Sequence, residues 1–144
     1  MFDGPEDRNG QRNADELRFW QLYLDGWSPD GPAFAAPRFA VMGTLNIDPE
    51  KGEGRRDALR ALLDHPMLQD PVPLRPGGGT ETADWPAPLP GNLRVDYILP
   101  AAPLVVRDAG VLWPLDDTGP LSPEIAAIAS DHRLVWVDIA LLPR

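Results

Sequence analysis

The first half of the chain carries a helical rhythm of apolar residues and the second half a strand rhythm. Leu17, Trp20, Tyr23 and Leu24 recur three or four positions apart, the spacing that puts side chains on one face of a helix. Asn13 followed by Glu16 has the form of a capping box, and Gly26 supplies a stop. A helix is therefore expected over 14–25, with Trp20 and Leu24 facing the core and residues 1–12 forming a loop. After a Pro- and Gly-containing loop at 27–37, the run Phe39-Ala40-Val41-Met42, ended by Gly43, reads as a short buried strand. Glu53–Leu63 sets Leu59, Leu62 and Leu63 against charged residues, which predicts an amphipathic helix after a turn at Asp48-Pro49. Its polar face, with Arg55, Arg56, Asp57 and Arg60, reads as a solvated surface rather than a binding patch.

Three strand-like runs follow: Leu93–Leu99, alternating around Val95, Tyr97 and Leu99; Leu104–Trp113, interrupted at Asp108-Ala109-Gly110; and Arg133–Leu141. Pro123–Ile128 suggests a helical turn between the last two. Gln69–Asn92 is a long loop holding Gly77-Gly78-Gly79. Without a following Lys-Ser/Thr and a helix start, those glycines do not make a phosphate cradle. Helices in the first half and strands in the second predict an α+β domain with one main sheet packed under helices.

Composition narrows the chemistry. With 144 residues, 43% hydrophobic and 24% charged, the chain fits one globular domain. Its 18 prolines fit short elements joined by long connections. No cysteine is present, which excludes thiol catalysis, Cys-based zinc sites and disulfides. The net charge of -9, with twelve Arg and one Lys scattered among 22 acids, argues against a general duplex-DNA surface. No apolar run approaches the roughly 18 residues that span a bilayer. The acidic start, Phe2-Asp3-Gly4-Pro5-Glu6-Asp7, has no basic n-region and so no signal peptide. The compartment stays open, and a longer parent protein could be exported.

Two polar segments sit at the ends of apolar strands, where a sheet fixes the backbone and a loop reaches solvent. These are Gly43-Thr44-Leu45-Asn46-Ile47-Asp48-Pro49 and Ser130-Asp131-His132-Arg133. Each also has a plain structural reading, since Asp48-Pro49 opens turns and Ser130-Asp131 can cap one. A third segment, Arg94-Val95-Asp96-Tyr97-Ile98-Leu99, carries an acid inside an apolar strand. A buried carboxylate needs a partner. His65 and His132 are the available imidazoles, and an Asp96–His132 pair stands against an exposed Asp96 on an edge strand.

Taken together and in this order, the segments resemble the endonuclease/exonuclease/phosphatase superfamily, which includes DNase I-like nucleases, abasic-site endonucleases, inositol polyphosphate 5-phosphatases and sphingomyelinases. Gly43-Thr44-Leu45-Asn46 resembles the Gly-Asp-x-Asn motif, Arg94–Leu99 the Arg-x-Asp-Tyr-hydrophobic-Leu strand, and Ser130-Asp131-His132 the closing Ser-Asp-His. Met1–Gln11 is similar to the segment after the central strand in a bacterial branch of the superfamily. The resemblance implies an α+β fold made of the C-terminal half of a DNase I-like β-sandwich flanked by helices, with 1–144 as a single partial domain. It implies a phosphoester hydrolase using Mg²⁺ or another divalent cation. In that chemistry His132 contacts the phosphate, Asp96 orients His132, Asp131 ligates metal, and Asn46 places the phosphate or the nucleophile.

Two departures bear on activity. Thr44 stands where the family carries an Asp that positions or deprotonates the attacking water, and losing a general base costs roughly 10²–10⁴ in rate. Asp48 is expected on the far side of the turn and does not replace it. Family members also carry an early Asn, a metal-binding Glu and a further His in an N-terminal half that would precede Met1. The resemblance thus implies an impaired or inactive phosphoesterase portion whose open sheet face needs the missing half, a partner or a second copy. Phosphate esters are the implied substrates, with nucleic acid one candidate among them. The alternative is a non-catalytic binding or assembly module on the same scaffold.

Overall fold

The computed structural model describes residues 4–88, 90–119 and 121–140. Helix α1 spans Arg8–Leu24, strand β1 Ala40–Thr44, helix α2 Arg56–Leu63, strands β2 and β3 Asp96–Pro100 and Val105–Leu112, helix α3 Pro123–Ala129, and strand β4 Leu134–Ala140. The class is α+β, as the sequence implied. The strands form two antiparallel pairs, β1–β2 and β3–β4, instead of one main sheet.

Helix α1 begins six residues earlier than expected, and Asn13 does not cap it. Gly10, Ala14, Leu17 and Leu24 form its buried stripe. Residues 8–13 contain no large apolar side chain, so the first turns give no periodic signal. Asn13 lies inside the helix, and its amide donates to the Leu45 carbonyl at 2.9 Å. Trp20 is displaced sideways from the stripe and remains 36% exposed, edge-on to Phe19 and Tyr23. Gly26, at φ 95°, ends the helix: its N–H donates to Tyr23 and that of Trp27 to Leu22, closing the last carbonyls.

The core lies between these helices and the β1–β2 pair. Leu17 and Leu24 of α1, Ala58, Leu59 and Leu62 of α2, and Val41, Tyr97 and Leu99 of the strands make one cluster. Each fully buried leucine contributes about 1.5–3 kcal/mol from removal of apolar surface from water. Only Val41 of β1 is buried, so this strand covers the core with one face and is not buried throughout. Arg94 closes the start of β2. Its guanidinium grips Asp70 at 2.5 and 2.8 Å and lies over the Tyr97 ring, while its N–H donates to Asp48. The Tyr97 hydroxyl donates to the carbonyls of Ile47 and Arg94, and burial pushes its phenol well above the ordinary range.

The β3–β4 ribbon stands outside that cluster. β3 runs unbroken through Asp108-Ala109-Gly110, with a register shift between Val106 and Asp108. Gly110 pairs with Trp136, and a Cβ at Gly110 would come within 2.8 Å of that ring. Glycine here makes room for an indole; it does not end the strand. Leu112, Leu134 and Trp136 remain exposed on the ribbon, as do Ile125 and Ile128 on α3. Among the described residues no helix is long and apolar enough to cross a membrane.

Candidate functional site

The heads of β2 and β4 are joined through one short segment. Ala83 bridges both Leu93, just before β2, and His132, just before β4. The N–H groups of Thr82 and Ala83 donate to the Leu93 carbonyl, Arg133 donates to Thr82, and Asp84 donates to Asp131. Residues 82–84 thus act as a splice that brings the head of β4 against the head of β2. Arg133 reinforces it, with its guanidinium bonded to Asp84 at 2.7 Å and to the Ser130 carbonyl.

At this seam the His132 Nδ1 lies 2.9 and 3.1 Å from the two oxygens of Asp96. Asp96 and His132 are 36 residues apart, and they meet because Asp96 opens β2 and His132 lies just before β4. Asp96 receives more than the imidazole. Thr44, its cross-strand partner on β1, donates to Oδ1 at 2.6 Å, and Thr82 donates to Oδ2 at 2.8 Å. The Thr82 oxygen itself accepts from the N–H groups of Val95 and Asp96, at 3.0 Å each. With both acceptor positions filled, its single proton points to the carboxylate. An acceptor so supplied leaves Nδ1 of His132 as a donor and Nε2 as the free ring nitrogen. The imidazole is partly exposed, and the Trp85 ring stands edge-on to it at 5.4 Å.

The other expected site residues are placed less completely. Asn46 follows β1 in a left-handed conformation at φ 58°, its side chain exposed and without a hydrogen bond among the described residues. Asp131 is exposed; its carbonyl is used by Asp84, while its carboxylate has no partner among the described residues. Asp48 is buried and accepts from the N–H groups of Glu50, Lys51 and Arg94. It ties the loop to β2 and does not replace an acid at position 44. His65 is also structural: it is buried, with Nε2 3.3 Å from Asp25 and Nδ1 accepting from Met67.

Among the described residues no group of three or more His, Asp or Glu side chains is arranged to hold a metal ion. A hard divalent cation takes oxygen ligands, commonly one or two carboxylates with waters and substrate phosphate. Asp131 offers one such carboxylate. These residues alone do not complete a site for the implied cation.

Thr82 and Trp85 escaped the sequence reading because they lie in the long Pro-rich connection. Only the splice that pairs this connection with both strands reveals them.

This is an α+β scaffold with an aspartate-oriented histidine at a strand mouth. The endonuclease/exonuclease/phosphatase family model matches residues 7–132, and the chain belongs to that family. Neither a curated protein nor a solved structure matches the chain. Membership places it in a superfamily of phosphoesterases and nucleases, enzymes that are generally dependent on divalent metals.

Proposed function

We propose that this chain carries the phosphate-binding and proton-handling part of a metal-dependent phosphoester hydrolase. The single observation behind this reading is the Asp96–His132 contact at 2.9 Å, which leaves Nε2 of a partly exposed imidazole free. In this reading His132, when doubly protonated, donates a hydrogen bond or a proton from Nε2 to a phosphoryl oxygen while Nδ1–H stays on Asp96. Asp96 fixes the ring and stabilises its charge, and Thr44 and Thr82 fix Asp96. Asn46 would contribute an amide to the phosphate, and Asp131 would hold a Mg²⁺ through one carboxylate oxygen, with further ligands needed to complete its site. When bound, such a cation polarises the phosphate and offsets charge on the leaving oxygen.

Thr44 makes the isolated chain a poor catalyst in this account. Its hydroxyl is no base near neutral pH, and it is already engaged with Asp96. The exposed apolar side of the ribbon, with Leu112, Leu134 and Trp136, is where the rest of a sandwich, a partner or a second copy would pack. The same open face and Thr44 favour the second reading, a non-catalytic binding or assembly module.

Hydrolysis of bis(4-nitrophenyl) phosphate with and without Mg²⁺, in the parent and in His132→Ala, separates the two. A Mg²⁺-dependent rate that His132→Ala removes supports the hydrolase. A rate that stays absent even when Thr44→Asp restores the family acid, or that is indifferent to His132→Ala, favours the binding module.

A further inference from the structure

The cleft between α1 and α2 is the other concentration of chemistry in the molecule. We propose that it is a second anion site, which takes a small phosphate-bearing ligand. The cleft has a volume of about 430 Å³ and is lined by Arg18, Arg55, Arg56 and Arg60, with Asp57 as the one acid in its walls. In a chain of net charge -9 this is a local inversion of sign, and a concave basic surface concentrates anions. The helix face expected to be merely solvated is one wall of this cavity.

The arginines are unequally neutralised. Arg18 and Arg55 are paired with Asp15 and Asp7 at 3.1 and 2.6 Å. Arg60 has Asp57 only at 4.0 Å. Arg56 has no carboxylate partner among the described residues; its guanidinium donates to the neutral carbonyls of Glu50 and Gly52, at 2.8 Å each. A guanidinium has five N–H groups, so with two engaged Arg56 keeps three N–H donors and an uncompensated charge. Arg56, Asp57 and Ala58 are also the first turn of α2, and Arg55 caps it with no side-chain bond. The partial positive charge of that helix end therefore adds to the arginines. Ala14, Gly54 and Ala58 leave the floor open. The volume falls within the range for small-molecule sites, and the acidic remainder of the chain opposes long polyanions. A compact phosphate or diphosphate group fits both conditions.

The inference stands apart from the reading of His132. Titration of ¹⁵N-labelled protein with sodium pyrophosphate should shift the amides of 54–58 saturably, with no such change in NaCl of equal ionic strength. Arg55→Gln, which loses only an exposed ion pair, and Arg56→Gln should each weaken the apparent Kd about 10-fold, the scale of a lost charge-assisted bond. His132→Ala should leave the Kd unchanged. Shifts that follow ionic strength alone, or an affinity indifferent to Arg55→Gln and Arg56→Gln, would overturn the proposal. If Arg56→Gln fails to fold, Arg55→Gln and the parent titration still decide.

Discussion

The body built from α1, α2, β1 and β2 differs from the β3–β4 ribbon in what it does with its apolar side chains. In the body Leu59, Leu62 and Leu99 are fully enclosed; on the ribbon Leu134 is 64% and Trp136 40% exposed. Both pairs are antiparallel, β3–β4 with one register shift between Val106 and Asp108. What separates them more is burial: the ribbon encloses Val111 and Ala140 but leaves Leu112, Leu134 and Trp136 open. The lesson is that the candidate site rests on unequal supports, with Asp96 anchored in the body and His132 carried by the ribbon. The splice at 82–84 and the bond between Asp96 and His132 hold the two together.

Mutation should expose that inequality. Removing one partner of the buried Arg94–Asp70 pair, as in Arg94→Ala, leaves a carboxylate uncompensated and is expected to cost about 3–5 kcal/mol. Leu59→Ala should lose about 2–5 kcal/mol through the cavity it opens. Leu134→Ala on the ribbon should change stability by less than about 0.5 kcal/mol. Urea unfolding measures all three. A large loss from Leu134→Ala would mean that the ribbon face is covered in solution.

Thr82→Val tests the splice. It leaves the N–H groups of Val95 and Asp96 without their acceptor, at about 1–3 kcal/mol for each. Thr82→Ser keeps the oxygen and should recover most of that loss in the same unfolding experiment. Thr44→Asp probes the opposite side of Asp96. A second carboxylate within reach of the first repels it, so the variant should unfold about 1 kcal/mol more easily at low ionic strength near neutral pH, where salt screens least. Mg²⁺ should relieve part of the effect if the site accepts a cation.

A pH-dependent effect concerns Glu81, next to the splice. The Lys51 ammonium bonded to it holds its carboxyl down to about 2, against burial, with the Arg75 guanidinium assisting. A depressed carboxyl contributes stability that is complete above its ordinary value of 4.5 and is lost as pH falls through about 2. Glu81→Gln should flatten that part of the Tm-versus-pH curve.

How far the sequence foretold this arrangement varied with the physics involved. The alternation of Val95, Tyr97 and Leu99 announced β2, and the leucines of α2 announced their helix, because burial on one face leaves a period. The Asp96–His132 pair was legible as one of two options, since a carboxylate in an apolar strand calls for a partner. The start of α1 was hidden because its first turns are polar, and Asn13 imitates a cap while serving Leu45. The continuity of β3 was hidden because Gly110 answers to Trp136, a residue far along the chain. Thr82 had no signal at all, because its role arises from three-dimensional pairing inside a loop.

The central claim is that Asp96 and the splice hold His132 with Nδ1 as donor and Nε2 open to a phosphate. The ¹⁵N resonances of the imidazole, followed first in the neutral ring and then, with the ring protonated, against added inorganic phosphate, test it directly. The account predicts the proton on Nδ1 in the neutral ring, an Nε2–H signal of the protonated ring that moves saturably with phosphate, and loss of both features in Asp96→Ala. A proton on Nε2 in the neutral ring, or an Nε2 resonance of the protonated ring that ignores phosphate while the cleft amides respond, would contradict it.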